Sequence, residues 1–204
     1  MNVAIILAAG ESRRMRDARA GRDTPKQLLP FGGKTMLECV LDAFQSPRIH
    51  KIIAVLGYRA DEIAAKIKSS RSDNLKFVTN SKYEQGMFTS VQAGLRALPP
   101  DTTLVMIALC DQPRLLPATV EKLLDEFEKK NCRILIPLFE GHQGHPLLVR
   151  AEYAREILAL DENLTLKHFL ATHASDIARV PVTDPGTVID IDDPEDYRKA
   201  LKES

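Results

Sequence analysis

Apolar and polar positions alternate in two different rhythms along the chain. Short runs that are apolar on successive residues predict strands at residues 3–8, 51–56, 76–79, 103–109 and 133–138. Between them, apolar residues recur at helical spacing. This predicts helices starting at Thr35, at residues 61–68 with Asp61 as cap, at 86–98, and at 117–130 with Pro117 in the first turn. Thr35-Met36-Leu37-Glu38 forms a capping-box pattern, in which Glu38 reaches back to the cap residue's amide. Strands that are apolar on both faces and alternate with helices predict a Rossmann-like α/β fold, a doubly wound and mostly parallel sheet covered on both sides. Ligands of such sheets bind beyond the carboxyl ends of the strands. Attention therefore falls on the loops after Ala8, after Leu56, before Gly86 and after Leu109.

The remainder is less regular. Gly141-His142-Gln143-Gly144 reads as a turn, with residues 146–149 returning as a strand. Residues 152–160 and 164–171 read as helices, and 177–182 and 188–191 as short strands. Asp193-Pro194-Glu195 opens a last helix to about residue 202, with Asp193 as its cap. No internal repeat or low-complexity linker interrupts the chain, so one domain is expected over residues 1–204.

Composition narrows the function classes. Hydrophobic residues make up 44% and charged residues 27%, an ordinary globular balance. Lys+Arg and Asp+Glu are both 28, which argues against a general nucleic-acid coat or a polybasic membrane binder. Cys39, Cys110 and Cys132 are odd in number and lack a CxxC, so neither a disulfide framework nor a cysteine zinc site is expected. The first apolar run lacks a basic region before it and is too short to span a bilayer. A soluble cytoplasmic protein is expected.

Charge is unevenly placed. Between Gly10 and Lys34 stand seven cations, Arg13, Arg14, Arg16, Arg19, Arg22, Lys26 and Lys34, against three acids. This basic loop follows the small residues Ala8, Ala9 and Gly10, where a ligand can approach the backbone, and it suits a polyphosphate as well as it suits a solvated loop. Gly33-Lys34-Thr35 imitates the end of a P-loop, but Leu28 stands where that motif needs glycine, and no GxGxxG follows the first strand. Asp111, just past an apolar strand, is placed either to hold a hard cation or to form a turn before Pro113. A second acidic cluster, Asp190-Ile191-Asp192-Asp193, lies at another strand end, and in a strand Asp190 and Asp192 would point to the same side. The histidines form no zinc set. His50, His168 and His173 read as surface or structural residues, and no Ser-His-Asp or Cys-His arrangement is convincing.

The segments LAAGESRRM (7–15) and PKQLLPF (25–31) resemble the signature of the nucleotidyltransferases related to molybdenum cofactor biosynthesis, the MobA-like NTP transferase family. The resemblance extends along nearly the whole chain. Gln85-Gly86-Met87-Phe88-Thr89-Ser90 is similar to that family's glycine-serine helix start, Asp111-Gln112-Pro113 to its metal-binding turn, Gly144-His145-Pro146 to its GHP, and residues 190–196 to its DIDxPED. The chain departs from the pattern with Arg16 after Arg-Met, with a longer segment over 16–24, and with Asp161-Glu162-Asn163-Leu164-Thr165-Leu166 in place of an acidic-glycine segment.

The resemblance implies a fold of the nucleotide-diphospho-sugar transferase type and a magnesium-dependent transfer of CMP from CTP to a phosphorylated small molecule, with release of pyrophosphate. The implied acceptor is molybdopterin or its metal-loaded form, and a transient molybdoenzyme or chaperone partner goes with it. It implies that Leu7, Ala8, Ala9, Gly10, Gly86 and Ser90 hold the nucleoside and that Arg14 and Lys26 hold the triphosphate. Asp111 and Asp192 would hold magnesium, and Gly144, His145 and Pro146 would shape the acceptor pocket. Arg14, Lys26 and Asp111 are thus the expected catalytic residues. Two alternatives remain open at this point. One is another acceptor, such as methylerythritol phosphate or a sugar phosphate. The other is a nucleotide-binding regulator without turnover.

Overall fold

The computed structural model describes residues 1–12, 14–15, 24–68, 74–161 and 164–202. Its centre is an eight-stranded sheet. Strands β1 (Asn2–Ala8), β2 (Pro30–Phe31), β3 (Lys34–Thr35), β4 (Lys51–Leu56), β5 (Leu75–Thr79) and β6 (Leu104–Leu109) come first along the chain. They are followed by β7 (Ile134–Phe139), β8 (His142–Gln143), β9 (Leu147–Arg150) and β10 (Ile177–Pro181). The sheet order is β10-β7-β9-β6-β1-β4-β5, with β8 paired to β7 and a separate ribbon of β2 and β3. β4 and β6 pair with β1 in parallel and β5 pairs with β4 in parallel, whereas β9 is antiparallel to both β6 and β7. The mostly parallel, doubly wound sheet read from the apolar runs is therefore present.

The register explains why β1 reads as an unbroken apolar run. Ala4, Ile6 and Ala8 face one cluster with helices α1 (Met36–Ala43), α2 (Ala60–Lys68) and α4 (Pro117–Lys130). Val3, Ile5 and Leu7 face a second cluster with α3 (Met87–Arg96), α5 (Ala154–Ala159) and α6 (Leu166–Thr172). Both faces are dry, so neither tolerates a polar residue. A third, smaller cluster joins Met15, Leu29, Phe31 and Met36 to Ile191 and to Ala200 of the last helix, α7 (Pro194–Lys202). The segment after β1 is thereby tied to the end of the chain.

Chain order places the functional edge. From β1 the chain winds outward through α1 to β4 and through α2 to β5, then returns by α3 to β6 on the other side of β1. β1 and β6 are neighbours whose following loops leave in opposite directions. Ala8 and Leu109 end side by side at this switch point, and a crevice opens beyond them.

Local signals account for several boundaries. Thr35 caps α1 with the full reciprocal pair: Glu38 N donates to Thr35 Oγ1 and Thr35 N donates to Glu38 Oε2. The turn of the β7–β8 hairpin lies at Glu140 and Gly141, at φ 48° and 84°, one position earlier than the glycine-bounded segment suggests. Asp61 is not the cap of α2. It lies inside the first turn, because Tyr58 N is anchored on Ala9 O and the helix starts at Ala60. The helix expected over 152–160 opens as a 3-10 turn, Ala151–Tyr153, before α5. Residues 188–191 form no strand, since Ile191 N donates to Asp111 O and pulls the segment across the end of β6 instead of along an edge. Among the described residues no helix is long and apolar enough to cross a membrane.

Candidate active site

Beyond β1 the chain runs through Ala9 and Gly10 with its carbonyls held from outside. Gln27, buried on the short 3-10 turn Lys26–Leu28, donates through Nε2 to Ala8 O at 2.7 Å and to Gly10 O at 3.0 Å. One amide thus sets the curvature of the loop, and PKQ is where a residue of this type must sit. On the other side Ala9 O accepts from Tyr58 N.

Four charged side chains converge at the same edge. Lys26, only 8% exposed, places Nζ 3.2 Å from Asp192 Oδ1 and 3.5 Å from Asp111 Oδ2. Arg14, largely in solvent, reaches Asp192 Oδ2 at 3.0 Å. Two carboxylates that would repel one another are bridged by one ammonium group. Asp111 Oδ1 is buried and has no hydrogen-bond partner among the described residues. That arrangement suits a cation. An oxygen lacking a donor and a second carboxylate opposite form a hard donor pair, and the ammonium stands between them as a charge of the right sign. Among the described residues no group of three or more His, Cys, Asp or Glu converges as a self-sufficient metal cage. Two carboxylates together with substrate phosphates are the usual environment of magnesium.

The acids are held by local structure. Asp192 N and Asp193 N both donate to Asp196 Oδ2, while Glu195 N and Asp196 N donate to Asp193 Oδ1. Asp193 therefore caps α7 as its sequence position suggests, and the closed turn presents Asp192 to Lys26. Asp190 points elsewhere, accepting from Gln112 Nε2 at 2.9 Å. Burial raises its carboxyl above the usual range, Gln112 opposes this, and the charges of Asp111 and Asp192 add to the rise. Cys110 lines the crevice beside Asp111, but burial pushes its thiol up to about 12, so it presents no thiolate nucleophile.

Three adjoining cavities line this edge. A small one of about 60 Å³ touches Ala8, Gly10, Ser12, Lys26, Gln27 and Asp111. A second, about 180 Å³, lies between Ala9, Gly10, Tyr83, Met87, Ser90 and Asp111. A third, about 270 Å³, extends from Leu7 and Gly86 to His145 and residues 164–166. Gly86, at φ 116°, is the cap position of α3, a conformation that L side chains rarely adopt. Ser90 sits one turn into α3 and accepts from Asn80 Nδ2 at 2.9 Å, an amide that also donates to Thr89 Oγ1.

The Gly144-His145-Pro146 segment lies where β8 turns back to β9. His145 N donates to Thr187 O at 2.8 Å, and Gly144 N to Pro137 O at 3.0 Å. Burial lowers the His145 imidazole below its ordinary range, with the Asp111 charge opposing. A Cβ on Gly144 would stand 2.3 Å from Thr187 O. Gly144→Ala is therefore expected to cost about 1–3 kcal/mol through a forced backbone shift. Thermal melting checks this, and an unchanged melting temperature would show that the Thr187 segment yields freely.

The structure thus brings Leu7, Ala8, Ala9, Gly10, Lys26, Gly86, Ser90, Asp111 and His145 to one chain of cavities and sets Arg14 and Asp192 at its rim. Gly144 lies behind His145, and Pro146 follows it. Arg13, Arg16, Arg19 and Arg22 of the basic loop lie outside the described residues. The motif reading passed over Gln27, Asn80, Gln112 and Tyr83. Gln27 bonds to backbone carbonyls and Gln112 to Asp190, 78 residues away, so neither contact is visible in the sequence, whereas Asn80 bonds to Thr89 and Ser90 nine and ten residues on.

Residues 4–177 match the sequence model of the MobA-like NTP transferase domain. The molybdenum cofactor cytidylyltransferase of Escherichia coli strain K12 is 28% identical over 95% of this chain and 92% of its own length. The bifunctional protein GlmU of Marinobacter nauticus is 30% identical over 72% of this chain, but the match spans only 30% of that longer protein. The solved structure of a nucleotidyl transferase from Methanothermobacter thermautotroptrophicus superposes with a TM-score of 0.80 at 26% identity, covering 100% of this chain and 97% of its own.

Proposed function

We propose, for a chain that belongs to the MobA-like NTP transferase family and is a nucleotidyltransferase, that it moves CMP from CTP onto the phosphate of a small molecule, with magnesium bound by Asp111 and Asp192. Molybdopterin is the acceptor that the sequence resemblance favours, and the full-length similarity to a molybdenum cofactor cytidylyltransferase supports that choice over a sugar phosphate. The observation that carries the reading is the pair of acids bridged by buried Lys26 at the end of β1 and β6, beside a loop with no side-chain bulk at Ala8, Ala9 and Gly10.

The reaction sets an anion against an anion. An acceptor phosphate oxygen attacks the α-phosphorus of CTP, a new P–O–P link forms, the α–β bond breaks, and pyrophosphate departs. No protein nucleophile is required. The chain's task is alignment and charge neutralisation. The backbone of Ala8, Ala9 and Gly10, with its curvature fixed by Gln27, holds the base and ribose, with Leu7 beneath and Gly86 and Ser90 opposite. Lys26 and Arg14 turn their charges toward the triphosphate and the departing pyrophosphate. Asp111 and Asp192 would hold a divalent cation, which would supply further neutralisation of negative charge during the transfer. His145, neutral through burial, offers hydrogen bonds to the acceptor without adding charge, and Gly144 and Pro146 shape the strand that carries it.

The test is pyrophosphate release with magnesium across the four nucleoside triphosphates and a panel of acceptors that includes molybdopterin. CTP with molybdopterin is the expected productive pair. Release with another pair would retain the chemistry and replace the acceptor or the base. CTP binding by calorimetry without release from any pair would replace the enzyme with a nucleotide-binding regulator.

A further inference from the structure

The middle cavity, of about 180 Å³, carries a single aromatic ring among the described residues, that of Tyr83. Tyr83 opens a short 3-10 turn, Tyr83–Gln85, between β5 and α3. The turn is held at both ends. Lys82 N donates to Asn80 Oδ1 at 2.9 Å, and Thr89 Oγ1 donates to Gly86 O at 2.8 Å. Asn80 is buried and bonded to Thr89 and Ser90, so the turn is fixed to the start of α3.

The ring reaches the cavity because Gly57, just past β4, has no side chain. A Cβ there would stand 2.6 Å from both Cβ and Cγ of Tyr83 and 2.7 Å from Ala9 O. The root of the ring and the loop after β1 therefore press on the same bare backbone. Tyr83 becomes a wall continuous with Ala9 and Gly10, and Met87 lines the same cavity. The Tyr83 hydroxyl donates to Oε1 of the exposed Glu84 at 3.3 Å. Its polar end is thus satisfied at the surface, and the carbon ring is left for the cavity.

The cavities divide a nucleotide by its chemistry. The smallest holds Lys26 and Asp111, which suit phosphate and its counter-ion. Gly10 and Asp111 line the middle cavity as well, so a nucleoside joined to those phosphates enters beside Tyr83. Backbone groups can meet the hydrogen-bonding edge of a base. Its flat π-face gains from an aromatic neighbour instead.

We propose that Tyr83 is a nucleobase-binding residue, its ring packed against the cytosine of CTP and seated there by the bare backbone of Gly57. The inference rests on the nucleotidyl-transfer reading and adds to it the side chain that takes up the base.

The test compares CTP with inorganic tripolyphosphate, which has the phosphates and no base, by calorimetry with magnesium. Tyr83→Ala is expected to weaken CTP by about tenfold and tripolyphosphate by less than about twofold. Tyr83→Phe keeps the ring and loses only the solvent-exposed bond to Glu84, so it should restore CTP affinity to within about twofold of the wild type. A second measurement uses the wild type alone, and it decides the matter if Tyr83→Ala does not fold or tripolyphosphate binds too weakly to titrate. Cytosine H5 and H6 of bound CTP should show nuclear Overhauser contacts to the Tyr83 ring. Unchanged CTP affinity in Tyr83→Ala, equal weakening of both ligands, a Tyr83→Phe protein as weak as Tyr83→Ala, or missing Overhauser contacts would overturn the assignment. A wild type that does not bind CTP would instead overturn the transfer reading beneath it.

Discussion

Asp111→Ala is expected to lower turnover by about 1,000-fold or more while leaving the protein folded. The two halves of this expectation come from the same geometry. In the fold, the Asp111 side chain is bonded through Oδ2 to Lys26, while Oδ1 is buried without a partner. Removing it removes a poorly satisfied group, and Lys26 keeps Asp192 at 3.2 Å, so no charge is stranded. The backbone contribution, Asp111 O accepting from Ile191 N, does not depend on the side chain. Under the proposed transfer, Asp111 is one of the two carboxylates that Lys26 bridges, where the triphosphate would be neutralised. The checks are pyrophosphate release, thermal melting, and manganese binding in the presence of CTP, read by paramagnetic resonance. Activity lost with an unchanged melting temperature and weakened manganese binding is the expected pattern. Near-normal magnesium-dependent turnover would remove Asp111 from the metal site, and collapse of the fold would make it structural.

Lys26→Met should separate two roles of one ammonium group. Methionine approximates the length and volume of the buried stem, so packing changes little. Loss of the charge that faces the triphosphate is expected to lower kcat/KM by about 100- to 1,000-fold. In the nucleotide-free protein the same change acts in the opposite direction. With the ammonium gone, Asp111 loses its partner and Asp192 keeps only the exposed Arg14, so the two carboxylates repel one another more strongly and a divalent cation is the strongest available remedy. Manganese affinity without nucleotide should therefore rise by about tenfold. A residue that served packing alone would leave metal affinity where it was. A residue that helped to recruit the cation would lower it. The direction of the change thus decides whether Lys26 competes with the cation for this position.

The sequence made the sheet legible because burial on both faces leaves no choice of residue. Val3, Ile5 and Leu7 serve one layer, Ala4, Ile6 and Ala8 the other, and the run is apolar throughout. Thr35 and Glu38 were legible because a capping box is local. Residues 188–191 were misread as a strand because Val188, Ile189 and Ile191 carry the composition of one. What directs them instead is a single amide bonded to Asp111 O, together with Asp190 bonded to Gln112, both long-range. Asp111 drew attention as an acid just past an apolar strand, but the roles of Arg14, Lys26, Asp111 and Asp192 came with the family resemblance, since the residues alone left a solvated loop and a turn aspartate equally open. Gln27 did not stand out, since it reads as an ordinary polar residue until the carbonyls of Ala8 and Gly10 are in view. Asp184 escaped for the same reason. It is buried, accepts from Leu116 N, Thr119 Oγ1 and Gly186 N, and so holds the Thr187 segment on which His145 rests.

The bridge from Lys26 to Asp192 joins residues 166 apart, and the cluster around Met15 and Ile191 closes over the same gap. During synthesis from the N-terminus, the sheet's strands all leave the ribosome before Asp192 does. A nascent chain can therefore hold a nearly complete core while lacking one of its two carboxylates. Under the proposed metal-binding role of Asp192, catalytic competence would be the last property to arrive, with the turn that caps the final helix.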